Sequence, residues 1–274
     1  MKSDKRHHIK SMLMRESLLD KDLIASTERS EASLVRMLPF AHVVKIGGAS
    51  IIESGRDIVY PLAEALGKAL ETEKIILGVG GGMRSRHVFS IGIDLGLPTG
   101  VLAEVSRADA LGNAHILGTL LAPYGVVAIP PEIFGHLLPL FIHSAPGVIY
   151  NGVPPYNLWE HPPKLGRIPP HRTDAGCFIL GECFGAKSVV FVKDVDGLYD
   201  EDPKTNPSAN FIGEISATEL QKRNLKTLPF DRVLLDLLAT ARLVKQFQLI
   251  NGKKPELLNA ALAGEQVGTI VYAG

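Results

Sequence analysis

The strongest constraint in this chain is a recurring unit: a short apolar run, a cluster of glycines, then residues at helical spacing. Ala41-His-Val-Val-Lys-Ile-Gly-Gly48 opens the series, followed by Ile58, Leu62, Ala65, Leu66 and Ala69 on one face of a helix over 55–70. Lys74-Ile-Ile-Leu-Gly-Val79 repeats it, ends in Gly80-Gly-Gly82, and leads into a helix over about 84–95. Further helices are predicted at 108–122, 174–184, 232–243 and 255–262, with strands at 126–129, 186–192, 247–250 and 267–272. Strands that are apolar throughout are buried on both faces, and strands separated by helices run parallel. The expected fold is therefore α/β, a three-layer αβα sandwich around a mainly parallel sheet.

Composition removes several function classes. Lys plus Arg and Asp plus Glu each number 29, so the basic excess of a dedicated nucleic-acid binder is missing. No apolar run approaches the length that spans a bilayer, and the polar, basic start Met1-Lys-Ser-Asp-Lys-Arg is not followed by an apolar stretch. A cytoplasmic protein with neither membrane nor nucleic-acid partner is expected. Cys177 and Cys183, six apart on one helix, point to different faces, which argues against a disulfide and a paired metal site. Both are read as small buried residues.

The chain divides unevenly. Residues 1–38 are charge-dense and lack glycine, and read as a partly helical arm for contact with a neighbouring subunit. Residues 39–274 form the body, with lobes at about 39–171 and 172–274. At the end of the first lobe, residues 151–171 hold six prolines and the single tryptophan, Trp159. A stiff loop of that length inside a compact domain serves either a function or a subunit contact.

The chemistry gathers at the strand ends. Ligands of open α/β sheets bind beyond the carboxyl ends of the strands, where both glycine turns fall. Glycine lets the backbone approach an anion, and the amides that open the next helix point at it. Gly47, Gly48, Gly80, Gly81 and Gly82 are thus candidate phosphate contacts, although their spacing matches neither a P-loop nor a dinucleotide fingerprint. Lys45 sits two residues before Gly47 in an apolar strand, where a lysine is costly unless it meets an anion. Val192-Lys-Asp-Val-Asp-Gly-Leu-Tyr-Asp-Glu-Asp-Pro203 follows another strand, and its aspartates 194, 196, 200 and 202 can contact ribose or Mg²⁺.

Five motifs in order carry a family resemblance: Val44-Lys-Ile-Gly-Gly48, Gly80-Gly-Gly-Met-Arg-Ser-Arg86, Arg172-Thr-Asp-Ala-Gly176, Lys193-Asp-Val-Asp-Gly-Leu-Tyr199 with Asp202-Pro203, and Gly264-Glu-Gln-Val-Gly-Thr-Ile270. Together they resemble the amino-acid kinase superfamily, in particular its uridylate-kinase branch. The resemblance implies an amino-acid/carbamate kinase-like fold that binds ATP with Mg²⁺. It implies that Lys45 contacts the transferred phosphate and that Asp174 positions that lysine. Lys193, Asp196, Gly197, Tyr199 and Asp202 would line the nucleotide pocket. On the acceptor side Arg86 and Asp109 match uridylate kinases, whereas Met83 stands where they carry asparagine.

A closer resemblance, carried by Gly82–Pro98, Pro154-Pro-Tyr-Asn-Leu-Trp159, Ile168–Phe178 and Val190–Tyr199, is to the molybdenum-storage branch of that superfamily, its β type more than its α type. It implies a hexameric cage, built from this chain alone or with a paralogous α-type subunit, that stores molybdate or tungstate as polyoxometalate clusters. Imidazoles coordinate metals or donate to oxoanions, so His115, His136, His143, His161 and His171 are candidate oxometalate contacts, each with a structural reading beside it. The α-type histidine run after Pro-Pro-Tyr is replaced here by Asn157-Leu-Trp-Glu-His161. Three activities stay open: ATP-driven oxometalate storage, phosphorylation of UMP, and a non-catalytic ATP-binding shell subunit.

Overall fold

The computed structural model describes residues 18–27 and 33–274, and within these leaves aside the side chains of residues 131, 134–136 and 157. The chain divides into two units, residues 1–35 and 36–274. Most of the expected arm lies outside the described residues. Its described part holds one short helix, α1 (Lys21–Ser26), started by Asp20, whose Oδ1 accepts the Asp22 and Leu23 amides at 2.8 and 3.1 Å.

The second unit runs β1 (Ala41–Ile46), α2 (Arg56–Ala69), β2 (Lys74–Val79), α3 (Gly82–Asp94), α4 (Thr99–Leu121), β3 (Val126–Ala128), α5 (Phe134–Ser144), β4 (Gly147–Tyr150) and α6 (Thr173–Phe184). It continues with β5 (Ser188–Lys193), β6 (Leu198–Tyr199), β7 (Phe211–Ile212), β8 (Glu214–Ser216), α7 (Ala217–Arg223), α8 (Leu234–Thr240), β9 (Gln246–Asn251), α9 (Leu257–Leu262) and β10 (Thr269–Tyr272). Eight strands form one sheet in the order β3-β4-β2-β1-β5-β9-β10-β8. All neighbours pair in parallel except β9 and β10. The sheet carries helices on both faces, as expected.

Pleating sorts the core. Val43, Val189, Phe191, Phe247 and Leu249 pack with Leu180 and Phe184 of α6 and with Leu234 and Leu238 of α8. The alternate residues Val44, Ile46, Leu77, Val190 and Val192 pack with Leu62 and Leu66 of α2, Leu117 of α4 and Leu258 of α9. Lys45 and Lys193 share the parity of Val43 and Phe191, so both project to the α6 face. They also lie at the carboxyl ends of adjacent strands, Lys45 next to last in β1 and Lys193 last in β5, at the point where strand order turns from one side of β1 to the other. That is the topological switch point, where open α/β sheets hold their ligands.

Several expectations need correction. The helix read as 108–122 begins at Thr99, with extended Pro98 at its N-cap, whose carbonyl accepts the Leu102 amide at 3.0 Å. Residues 134–150, not assigned from sequence, supply α5 and β4. Cys177 is buried, but Cys183 is exposed: six residues apart on α6, they point to different faces, and only that of Cys177 is turned to the core. The proline-rich loop has one 3₁₀ turn at Asn157–Trp159 and lies across the α3–α4 junction. There Arg167 donates to Ile93 O (3.2 Å) and Leu97 O (2.7 Å), while Leu158 and Trp159 stay exposed. Among the described residues, no helix is long and apolar enough to cross a membrane.

Candidate functional site

The two glycine turns meet at the carboxyl edge. Gly47 N donates to Val192 O (3.1 Å) and Gly80 N to Ile46 O (3.0 Å), which ties each turn to a neighbouring strand. A Cβ at Gly48 would lie 2.3 Å from both Gly80 O and Gly82 N, so the turns touch backbone to backbone and Gly48 has no room for a side chain. Gly82, at φ 76°, takes the left-handed conformation that opens α3. Glu53 joins the two turns by accepting the Met83 amide at 2.8 Å.

Beside the turns lies a buried ionic cluster. Asp174, in the first turn of α6, accepts Lys45 Nζ at 2.6 Å and Lys193 Nζ at 2.8 Å. It also accepts the Asp231 amide at 3.1 Å. Asp231 is gripped in turn by Arg172, whose Nε and Nη2 lie 2.9 and 2.5 Å from Oδ1. Lys45, Lys193, Asp174 and Asp231 are all buried. Asp231 is matched by Arg172, whose side chain is partly exposed at the rim, so the two buried ammoniums share the single carboxylate of Asp174. Such a cluster is costly unless an anion completes it.

The ionisations follow from this geometry. Burial alone would raise the Asp174 carboxyl, but the Lys193 and Lys45 ammoniums more than offset it and hold it well below the usual carboxylate range. Burial likewise opposes charge on Lys45, yet Asp174 prevails and raises it above an ordinary lysine. Lys193 goes the other way. Burial, with repulsion from Lys45, outweighs Asp174 and brings it down to about 8.

These groups line a cleft of about 470 Å³ together with Gly47, Gly48, Gly80, Gly81 and Gly82, and with Ser85 and Arg86 of α3. A second cleft of about 300 Å³ adjoins it, lined by Gly197, Tyr199, Asp202, Pro203 and Thr227. Arg86, Asp194, Lys204, Leu228 and Pro229 belong to both. A polar, cationic chamber beside a smaller, less polar one suits a ligand with a polyanionic tail and a flat head. The cationic chamber can also stabilise charge spread over a transferring phosphoryl group.

Most of the site residues read from sequence converge here: Lys45, Asp174, Lys193, Arg86 and the five turn glycines line the first cleft, and Gly197, Tyr199 and Asp202 the second. Asp196 lines neither; its Oδ1 is held by Asn251 (2.9 Å) and Lys254 (2.7 Å) beside the nucleotide-side loop. Asp109, on α4, also lines neither, and its buried Oδ2 has no hydrogen-bond partner among the described residues. Asp231 was not picked out from sequence, although a lone acid in Leu228-Pro-Phe-Asp-Arg-Val-Leu-Leu235 is a usable signal.

Magnesium tests differently from phosphate. Among the described residues no three His, Cys, Asp or Glu side chains gather as a metal cage. Mg²⁺ on a nucleotide needs only one or two carboxylates besides phosphate oxygens and water. Asp194 fits, since it lines both clefts and its partner is the largely exposed Lys204 (2.6 Å). Among the described side chains the candidate histidines do not gather. His115 and His161 are exposed on separate elements. His143 stacks on Phe40 at 4.8 Å, and its carbonyl accepts Lys74 from the opposite end of β2. His171 Nδ1 sits 3.1 Å from the buried Glu160. The His136 side chain lies outside the described residues.

Comparison with known proteins places this geometry. The model of the amino acid kinase family matches residues 41–244. The chain is 44% identical over 268 residues to molybdenum storage protein subunit beta of Azotobacter vinelandii, covering 97% of both chains. It is 30% identical over 244 residues to a uridylate kinase of Methanothermobacter thermautotrophicus, covering 84% of this chain and 97% of that one. In fold it is similar to the crystal structure of uridylate kinase from Archaeoglobus fulgidus, with a TM-score of 0.65 at 22% identity, over 84% of this chain and 99% of that one.

Proposed function

The chain belongs to the amino acid kinase family, and on that premise we propose that it is an ATP-binding subunit of an oxometalate-storage cage. The observation that carries this reading is the pair of buried ammoniums that share Asp174, with Arg172 matching Asp231 at the rim, lining a cleft with two glycine turns at the switch point of the sheet. It supports binding of a polyphosphate. The 44% identity to a molybdenum storage subunit, end to end, favours storage of molybdate or tungstate as the purpose of that binding. Lys45 would hold the terminal phosphoryl group, and Asp174 would keep Lys45 charged and aimed. Lys193 and Arg172 would neutralise the rest of the chain, with the base in the second cleft against Tyr199. Bound Mg²⁺, held by Asp194, would supply further neutralisation of phosphate charge.

Phosphoryl transfer asks mainly for positioning and charge stabilisation, so a kinase site can pass its phosphate to water. The scattered histidines fit cluster contacts assembled from several subunits of a cage, with copies of this chain or an α-type partner. A second reading, UMP kinase, is favoured by Arg86, which lines both clefts.

One experiment separates them. The purified chain is incubated with ATP, Mg²⁺ and either molybdate or UMP; retained metal is measured by elemental analysis and UDP by chromatography. ATP-dependent retention of metal without UDP is expected. UDP without retained metal overturns the storage reading, and uptake that survives Lys45→Ala overturns the role of Lys45.

A further inference from the structure

Asn113 lies on α4 outside the cleft, yet it acts on the cleft's wall. It is buried, 1% exposed, and its Nδ2 donates to Gly80 O at 2.7 Å. Its Oδ1 accepts from the Arg84 guanidinium on α3. Arg84 carries only donors, so the amide of Asn113 has one satisfied orientation, oxygen towards Arg84 and nitrogen towards Gly80. The orientation passes on one bond further. In a trans peptide the carbonyl and the following N–H point in opposite directions, and no described peptide bond is cis. With Gly80 O drawn to Asn113, which does not line the cleft, the Gly81 N–H is turned towards the cleft that Gly81 does line.

The direction matters because this peptide is flanked by glycines, Gly80-Gly81-Gly82, with little steric preference to hold it. A flipped peptide would put a carbonyl oxygen where an anion binds. We propose that Asn113, set by Arg84, is a positioning residue that locks the Gly80–Gly81 peptide with its N–H towards the phosphate chain. This rests on the reading of the cleft as a polyphosphate site.

The test uses the full-length chain with three probes: inorganic tripolyphosphate, a non-hydrolysable ATP analogue and adenosine. Asn113→Asp replaces the donor with an oxygen that repels Gly80 O and attracts an N–H, while keeping a partner for Arg84. Affinity for tripolyphosphate and the ATP analogue is expected to fall at least about tenfold, the loss of a charge-assisted hydrogen bond and the gain of a repulsive one. The buried repulsion should lower the melting temperature, but adenosine affinity in the folded variant should stay close to wild type, a split between the probes that a merely structural residue would not give. Where Asn113→Asp fails to fold, Arg84→Met serves: it frees the Asn113 amide to rotate and should weaken tripolyphosphate with adenosine unchanged. Unchanged tripolyphosphate affinity in a folded variant overturns the inference alone. A wild-type chain without affinity for tripolyphosphate overturns it together with the phosphate-site reading.

Discussion

On the reading of the cleft as a polyphosphate site, Lys193 should make nucleotide binding a proton-uptake reaction. It shares one carboxylate with Lys45, and burial with that crowding brings its pKa down to about 8. A bound polyphosphate adds negative charge beside it, which returns its proton affinity towards the ordinary lysine value of 10.5. The bound state then holds more protons than the free state over roughly pH 7.5–10. Uptake should be about half a proton at pH 8 and about 0.9 at pH 9. Affinity should weaken about tenfold between pH 7 and pH 9, close to 1.4 kcal/mol. The measurement is calorimetric titration of a non-hydrolysable ATP analogue with Mg²⁺ in buffers of different ionisation enthalpy, where the slope of observed enthalpy counts protons. Lys193→Gln removes one of the two ammoniums that share Asp174 and leaves Lys45 to pair with it, so the fold should survive, proton uptake vanish and the pH dependence flatten. Binding without uptake at pH 8–9, or undiminished uptake in Lys193→Gln, refutes the reasoning.

Two further substitutions probe the same site. Asp174→Asn leaves two buried ammoniums without their shared anion and should cost about 3–5 kcal/mol at pH 7, the usual penalty for an uncompensated buried charge. The loss should shrink as pH rises and Lys193 sheds its proton; denaturant unfolding at pH 7 and pH 9 measures both. In the wild type, Asp174's depressed pKa gives stability that is full above its unfolded value near 3.8 and lost as pH falls below it, so acid unfolding should begin below about pH 4 and be blunted in Asp174→Asn. Gly48→Ala places a Cβ 2.3 Å from backbone atoms of the other turn. Overpacking there should cost about 1–3 kcal/mol, read as a lowered melting temperature, and should weaken tripolyphosphate more than adenosine because it separates the two turns.

The amino-acid sequence by itself determined the parts whose signal is local. Apolar runs ending in glycine fixed the central strands to within a residue or two, and the glycines with Lys45 marked the cleft, because a buried lysine beside a flexible turn has few other uses. The five motifs carried the family, which the match over residues 41–244 bears out. Tertiary structure decided what depends on residues distant in the chain. Asp174 meets Lys193 across 19 positions and the Asp231 amide across 57, and Asn113 reaches Gly80 across 33. No periodicity encodes those pairings; they arise because the sheet order sets β5 beside β1 and brings α6 over both. Cys183 misled for the same reason, since a helix face becomes interior only once something packs on it. The histidines that sequence placed within one stretch are spread by the fold over α4, α5 and the proline-rich loop, whereas Lys45 and Lys193, 148 positions apart, are brought by it onto one buried carboxylate.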